Sequence, residues 1–165
     1  MKDNPFVGSW TYRSFLNDPD QFFGAIAKAL ADPDQLEKHP KQCVAWLQKL
    51  FAPSGLVLGY GTIQIVEAPP TVLKGTIGGS GWSLDLTGSR SYGNPMEVRF
   101  QGKGNVRGAE WIYDYVGYLV PQWPNGVQQR PAMVGSIVRA IPHPSGNGGT
   151  SPAGVVASWY AVRQD

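Results

Sequence analysis

The sequence is poor in the side chains that most metal and redox sites need. It contains one cysteine, Cys43, and two histidines, His39 and His143, in 165 residues. A single cysteine cannot form an intrachain disulfide, and so few scattered ligands do not suit a dedicated zinc site. The sequence also lacks a Walker motif and a dinucleotide-binding fingerprint. We therefore predict no metal and no cofactor.

Charge and long apolar runs are scarce as well. Charged residues make up 16% of the chain, and the basic residues behind the net charge of +2 stand singly. Because nucleic-acid binders usually carry a basic stripe, we expect no nucleic-acid partner. No run reaches about 18 apolar residues, so we expect no membrane span. The first ten residues, MKDNPFVGSW, lack the apolar core of a signal peptide, which favours a cytoplasmic location.

Glycine, proline and short strand-like runs are plentiful. The chain holds 21 glycines and 14 prolines, spread along its length. Eight strand candidates are separated by turn residues, including a glycine-rich turn at 102–105. The candidates are 7–15, 56–67, 71–77, 82–88, 96–101, 109–120, 129–141 and 154–163. Short connections favour antiparallel neighbours, so we predict an eight-stranded up-and-down barrel, with a two-sheet sandwich as the alternative.

A different composition interrupts this pattern between the first two strands. The tetrapeptide Asp-Pro-Asp-Gln occurs at 18–21 and again at 32–35. Aspartate is a favoured N-cap and proline is tolerated at the first helical position, so each copy predicts a helix start. We therefore predict a helical insertion over 18–51 within a single domain, 1–165.

The first and last strands of the predicted barrel carry a family resemblance. Gly8-Ser9-Trp10 opens the first strand and Arg163 closes the last. This pattern resembles that of the calycins (lipocalins and avidins), in which the tryptophan lies in the barrel floor and a basic residue packs across it. Residues 111–139 also look like uncharacterised bacterial lipocalin-like proteins. The resemblance is partial: the predicted helices follow strand one, other lipocalin motifs are absent, and the biotin-contacting residues of avidins have no match.

The aromatic residues are the candidate walls of a binding cavity. An eight-stranded barrel is wide enough either to be filled by side chains or to hold one small ligand. Tyr12 shares a face with Trp10 and is expected to point inward one layer above it. The expected ligand-binding residues are Trp10, Tyr12, Tyr60, Trp111, Tyr113, Tyr115, Trp123 and Trp159. We expect Trp123, in the 121–126 loop, to flank the cavity mouth.

Strand 109–120 also carries candidate catalytic residues. Its alternation places Trp111, Tyr113 and Tyr115 on one face and Asp114 and Tyr118 on the other, and the sequence leaves open which face lines the cavity. Asp114 lies in an otherwise apolar row, as does Arg139 in the next strand, and each needs a partner. Asp114 and Arg139 form either a structural ion pair with each other or, together with Tyr118, an acid/base group inside the cavity.

Three hypotheses for function follow, in order of preference. The first is binding of a small, mostly apolar or aromatic molecule in the barrel. The second is a cofactor-free enzyme of the cyclase or isomerase type, using Asp114, Tyr118, Tyr12 and Arg139. The third is an accessory subunit or homo-oligomer, because the last strands are apolar on both faces and need a cover, either the predicted helices or a second subunit.

Overall fold

The chain forms a closed barrel of eight antiparallel strands. The structure is a computed structural model that describes residues 4–17, 31, 56–146 and 148–164. The strands are β1 (Gly8–Leu16), β2 (Val57–Val66), β3 (Val72–Gly79), β4 (Trp82–Arg90), β5 (Glu97–Val106), β6 (Ala109–Leu119), β7 (Ala132–Arg139), β8 (His143–Pro144), β9 (Thr150–Ser151) and β10 (Val156–Arg163). The predicted mainly-β fold is confirmed. The predicted helical insertion over 18–51 lies outside the described residues, apart from residue 31.

The barrel has the up-and-down order that the sequence predicts. The strands follow one another as β1, β2, β3, β4, β5, β6, β7 and β10, and β10 returns to pair with β1. The short strands β8 and β9 form a separate two-stranded ribbon in the connection between β7 and β10. This order gives the barrel two distinct ends. We call the end where β1 starts the closed end, and the end where β1 stops and β2 starts the open end.

Strand alternation fills the interior with apolar side chains. In β4, Leu84 and Leu86 are buried while their neighbours are exposed, and in β5 Val98 and Phe100 are buried in the same way. Removing each such side chain from water contributes roughly 1.5–3 kcal/mol to folding. This alternation identifies the inner faces of β4 and β5.

One predicted turn is wrong. The glycines at 102–105 do not end a strand, since β5 continues to Val106. A Cβ on Gly102 would lie 3.3 Å from atoms of Leu84, Leu86 and Tyr115. Glycine at this position therefore makes room for large neighbouring side chains inside the barrel, a use that the sequence does not distinguish from a turn.

The closed end is sealed by the residues that carry the calycin resemblance. Trp10 is fully buried, and the guanidinium carbon of Arg163 lies 5.7 Å from the centre of its ring. The indole Nε1 donates a hydrogen bond to the carbonyl oxygen of Phe6 at 2.9 Å, and Arg163 Nη1 donates one to Pro5 O at 3.3 Å. A Cβ on Gly8 would lie 3.2 Å from Arg163 Nη2, so glycine there leaves room for the guanidinium. The expected stacking of cation on indole is confirmed.

Trp159 fills the middle of the barrel beside two glycines. In the registers of β6, β7 and β10, Gly117 lies opposite Gly135, and Gly135 lies opposite Trp159. A Cβ on Gly117 would come within 2.6 Å of the Trp159 ring, a distance that real Cβ atoms do not show. The indole therefore fits only because residue 117 has no side chain.

The outer face of β6 and β10 keeps apolar side chains exposed. Val116, Tyr118, Val156 and Tyr160 are each more than a third exposed. Their exposure agrees with the two-sided apolar pattern of the sequence. In the described part of the chain, no helix has the length and apolar character needed to cross a membrane.

Candidate functional site

The open end of the barrel holds a cavity of about 830 Å³. Cavities of roughly 300–1,000 Å³ are typical of small-molecule sites. The inner wall of this cavity is mainly aromatic and apolar. Its inward-facing lining residues are Tyr12, Ser14, Trp82, Leu84, Trp111, Tyr113, Tyr115 and Ile137. Phe15, Val57, Leu58, Tyr60 and Tyr160 lie around the opening.

Two buried tyrosines and a serine form the base of the cavity. The rings of Tyr12 and Tyr115 meet edge to face with their centres 6.2 Å apart. Burial raises the pKa of Tyr12 to about 12, although hydrogen bonds with Ser14 and Tyr115 lower it in part. Burial also raises the pKa of Tyr115 well above its usual 10.0. Both phenols are therefore neutral at physiological pH and suit hydrogen bonding to a polar group better than proton abstraction.

A hydrogen-bonded chain lies beside the cavity and passes through Tyr113. His143 Nδ1 is 2.9 Å from the carbonyl oxygen of Pro144, which can only accept, so Nδ1 carries the proton. The hydroxyl of Tyr113, 2.7 Å from His143 Nε2, therefore donates to that nitrogen. Arg139 Nε in turn donates to the Tyr113 oxygen at 3.1 Å. The Pro144 carbonyl thus sets the direction of the bond between Tyr113 and the neutral His143 ring, whereas the Arg139 guanidinium can only donate.

The ribbon of β8 and β9 brings His143 to this position. The His143 ring stacks on Trp111 with centres 4.0 Å apart and planes 17° apart. Burial lowers the pKa of His143 below its usual 6.5; the hydrogen bond to Pro144 opposes this effect and the Arg139 cation adds to it. The ring is therefore neutral at pH 7, as the acceptor role of its Nε2 requires.

Four of the eight predicted wall residues line the cavity with inward-facing side chains: Tyr12, Trp111, Tyr113 and Tyr115. Three of them belong to β6, whose orientation the sequence leaves open. Their inward position shows that the face with Trp111, Tyr113 and Tyr115 lines the cavity.

The other four predicted wall residues lie elsewhere. Tyr60 is on the outer face of β2 at the opening, 59% exposed, with Arg13 at 6.0 Å from its ring centre. Trp10 and Trp159 belong to the packed core beneath the cavity. Trp123 is 79% exposed in the connection between β6 and β7, which lies at the closed end because β6 finishes there. The expectation that Trp123 flanks the mouth is therefore wrong.

The predicted catalytic residues are divided between the two faces of the barrel wall. Asp114 and Tyr118 point outward, where Asp114 Oδ1 accepts a hydrogen bond from Gln101 Nε2 at 2.9 Å. Arg139 points inward and is 7% exposed. The expected ion pair between Asp114 and Arg139 is wrong, because the register aligns Arg139 with Tyr113 and alternation then places neighbouring Asp114 on the opposite face.

Sequence reasoning missed His143, Ser14 and Trp82 as site residues. His143 has two proline neighbours in a long connection, a pattern that indicates a surface loop. Nothing in the sequence relates it to Tyr113, thirty residues away. Alternation places Trp82 on the same face as Leu84, so the inward row of β4 is a signal that could have found it.

Comparison with protein-family models gives no match for this chain, and comparisons with curated proteins and with solved structures give none either. The fold itself, an eight-stranded antiparallel barrel, is compatible with the calycin class. Among the described residues, no group of three or more His, Cys, Asp and Glu side chains is arranged to hold a metal ion.

Proposed function

We propose that this protein binds a small, mostly aromatic or apolar molecule in a calycin-like barrel. The observation that supports this proposal most strongly is the cavity of about 830 Å³ with aromatic walls at the open end. A barrel of eight strands can be filled entirely by side chains. Among the described residues, Trp10 and Trp159 pack in the core beneath this cavity.

The chemistry of the cavity favours a particular kind of molecule. Trp82, Trp111 and the tyrosine rings offer flat apolar surfaces on which an aromatic body can stack. The neutral hydroxyls of Tyr12 and Tyr115 lie at the base and suit a single hydrogen-bonding group, such as a carbonyl or hydroxyl oxygen. A few fixed polar groups in an apolar cavity are the usual means of orienting a ligand.

A cavity-filling substitution tests the proposal. We expect Ser14→Phe to place a ring in the cavity, since Ser14 is buried and lines it, whereas Thr11→Phe adds the same ring on the outer face of the same strand. Aromatic fragments screened by ligand-observed NMR should bind the wild-type protein and Thr11→Phe but not Ser14→Phe. Circular dichroism checks that both variants fold. Equal binding to both variants, or no binding to the wild type, would contradict the proposal.

A second candidate function is proton transfer on the bound molecule, which would make the protein a cofactor-free enzyme. The hydrogen-bonded chain favours it, because Tyr113 lines the cavity while its hydroxyl lies between Arg139 and His143. A tyrosine with a cation on one side and a proton acceptor on the other is equipped for acid/base work. Asp114 and Tyr118, on the outer face, do not reach the cavity, so neither takes part in this candidate reaction.

Measuring the exchange of C–H hydrogen for deuterium distinguishes proton transfer from binding alone. An aromatic ketone such as 2-tetralone loses an acidic C–H to D₂O slowly in buffer. If Tyr113 transfers protons, the wild-type protein should accelerate that exchange and Tyr113→Phe should not. An exchange rate equal to that in buffer would exclude this reaction for this ketone. The accessory-subunit hypothesis stays a prediction, which the molar mass in solution would test.

A further inference from the structure

A second, smaller recess adjoins the cavity at the open end. Its volume is about 220 Å³, and it lies between the β3–β4 turn, the β5–β6 turn and the start of the loop after Pro144. Ser80, Trp82 and Trp111 line both the recess and the main cavity. A molecule stacked between the two tryptophans would therefore extend from one compartment into the other.

Arg107 provides the charge of this recess. It lies in the two-residue turn between β5 and β6 and lines the recess. Its Nη2 is 3.6 Å from the position that a Cβ on Gly81 would occupy, so the guanidinium reaches across to the β3–β4 turn. The side chain thus spans the opening of the recess from one turn to the next.

The backbone of Arg107 is in an unfavourable conformation for an arginine. Its φ is +52° and that of Gly108 is +85°, which are the values of a type I′ turn. Asparagine followed by glycine is the preferred pair in such turns, since residues other than Gly, Asn and Asp rarely adopt positive φ. Unfavourable backbone conformations of this kind are enriched at ligand-binding positions. Turn formation alone does not account for an arginine here.

Among the described residues near the open end, the basic side chains of Arg13, Lys103, Arg107 and Arg139 outnumber the acidic ones of Asp85 and Glu110. Within that part of the chain, Arg107, Arg13 and Arg139 form no ion pair, and Glu110 is already engaged by Lys103 at 2.9 Å. Arg139 is in addition buried, and it donates hydrogen bonds to the Tyr113 hydroxyl and the Pro152 carbonyl, neither of which is charged. A cleft with one sign of charge raises the local concentration of ligands of the opposite sign.

We propose that the ligand is an organic anion, with its aromatic or apolar body in the main cavity and its carboxylate in the recess against Arg107. This inference rests on the proposed function and specifies its ligand class. A guanidinium binds a carboxylate through two parallel hydrogen bonds, which are stronger than those between neutral groups. The shared tryptophan walls give such a molecule a continuous path from the apolar compartment to the cation.

Two probes of equal shape test the proposal. 2-Naphthoate and 2-naphthamide differ in charge but little in size, and their dissociation constants can be measured by quenching of tryptophan fluorescence. We expect the wild-type protein to bind the carboxylate about tenfold more tightly, the effect of one charge-assisted hydrogen bond. Arg107→Asn removes the cation and installs the residue that the turn favours, so it should fold and bind both probes equally. Arg130→Asn changes an exposed arginine in the connection between β6 and β7 at the closed end, and it should keep the preference.

The outcomes separate the two proposals. If both probes bind the wild-type protein with equal affinity, the anion inference is wrong and the binding function stands. If the carboxylate is preferred equally by the wild type and Arg107→Asn, Arg107 does not hold the anion and the inference is again wrong. If neither probe binds at millimolar concentration, the proposed function fails along with the inference. Increasing salt should reduce the preference of the wild type without weakening 2-naphthamide binding.

Discussion

Replacing Tyr113 by phenylalanine should destabilise the protein through two neighbours at once. The change removes one oxygen and keeps the ring, so packing against Trp111 is preserved. It leaves His143 Nε2 and Arg139 Nε without their partner, and these two residues are only 6% and 7% exposed. An unsatisfied buried polar group costs about 1–3 kcal/mol. Because the adjoining cavity admits water to this region, we take the lower part of that range and expect a total of about 2–3 kcal/mol.

The matched control for this variant is Tyr118→Phe. Tyr118 lies on the same strand, is 42% exposed and faces outward, so loss of its hydroxyl should cost less than about 0.5 kcal/mol. For a domain of this size, about 2–3 kcal/mol corresponds to a fall in Tm of about 4–12 °C. Urea unfolding gives the free energy of unfolding of both variants, and thermal unfolding gives their Tm.

A double-mutant cycle with His143→Phe identifies the interaction itself. When His143 is already replaced, Tyr113→Phe leaves only Arg139 Nε without a partner. The loss of unfolding free energy caused by Tyr113→Phe should therefore be about 1 kcal/mol smaller in the His143→Phe background than in the wild type. If Tyr113→Phe cost no more than Tyr118→Phe, or if the cycle showed no coupling, the hydrogen-bonded chain through Tyr113 would not exist in the folded protein.

Single contacts give three more predictions. Since burial depresses the pKa of His143 below 6.5, the unfolded chain binds its proton more readily; the free energy of unfolding should therefore fall as pH drops from about 7.5 to about 5.5 in urea titrations, and less so in His143→Gln. Gly117→Ala would bring a Cβ within 2.6 Å of the Trp159 ring and should cost about 1–3 kcal/mol, whereas Gly146→Ala, with nothing within 4 Å, should be neutral in thermal unfolding. Arg163→Ala removes the cation over the tryptophan at the closed end and should cost about 1–2 kcal/mol in urea unfolding; an unchanged midpoint would show that the stacking contributes nothing.

The barrel was predictable from the sequence because its signals are local. Strand-like apolar runs bounded by turn residues mark all eight barrel strands, and the pair Trp10 and Arg163 marks the closed end. The wrong prediction of a turn at residues 102–105 shows what local sequence signals cannot distinguish. Gly102 is required by side chains of β4 and β6 that are distant in sequence, so its local signal resembles that of a turn.

The site was predictable only in part, since its polar groups meet through long-range pairing. Alternation alone is enough to recognise Trp111, Tyr113 and Tyr115 as one face. Pairing Asp114 with Arg139 required knowledge of which faces meet, and that pairing fails because the register sets Arg139 against Tyr113. His143 could not be assigned at all, because a ribbon with two residues in each strand, which local signals do not predict, carries it onto β6.

The order of polar groups along the cavity suggests how a ligand enters. Neutral phenols lie at the base, the hydrogen-bonded chain lies beside Tyr113, and the cation of Arg107 lies at the open end. An anion drawn to the base would lose its water without meeting a cation, which is costly. The uncharged end of the ligand should therefore enter first and the charged end should stay at Arg107. In this orientation Tyr113 contacts the middle of the ligand, so any proton transfer would act there and not on the carboxylate.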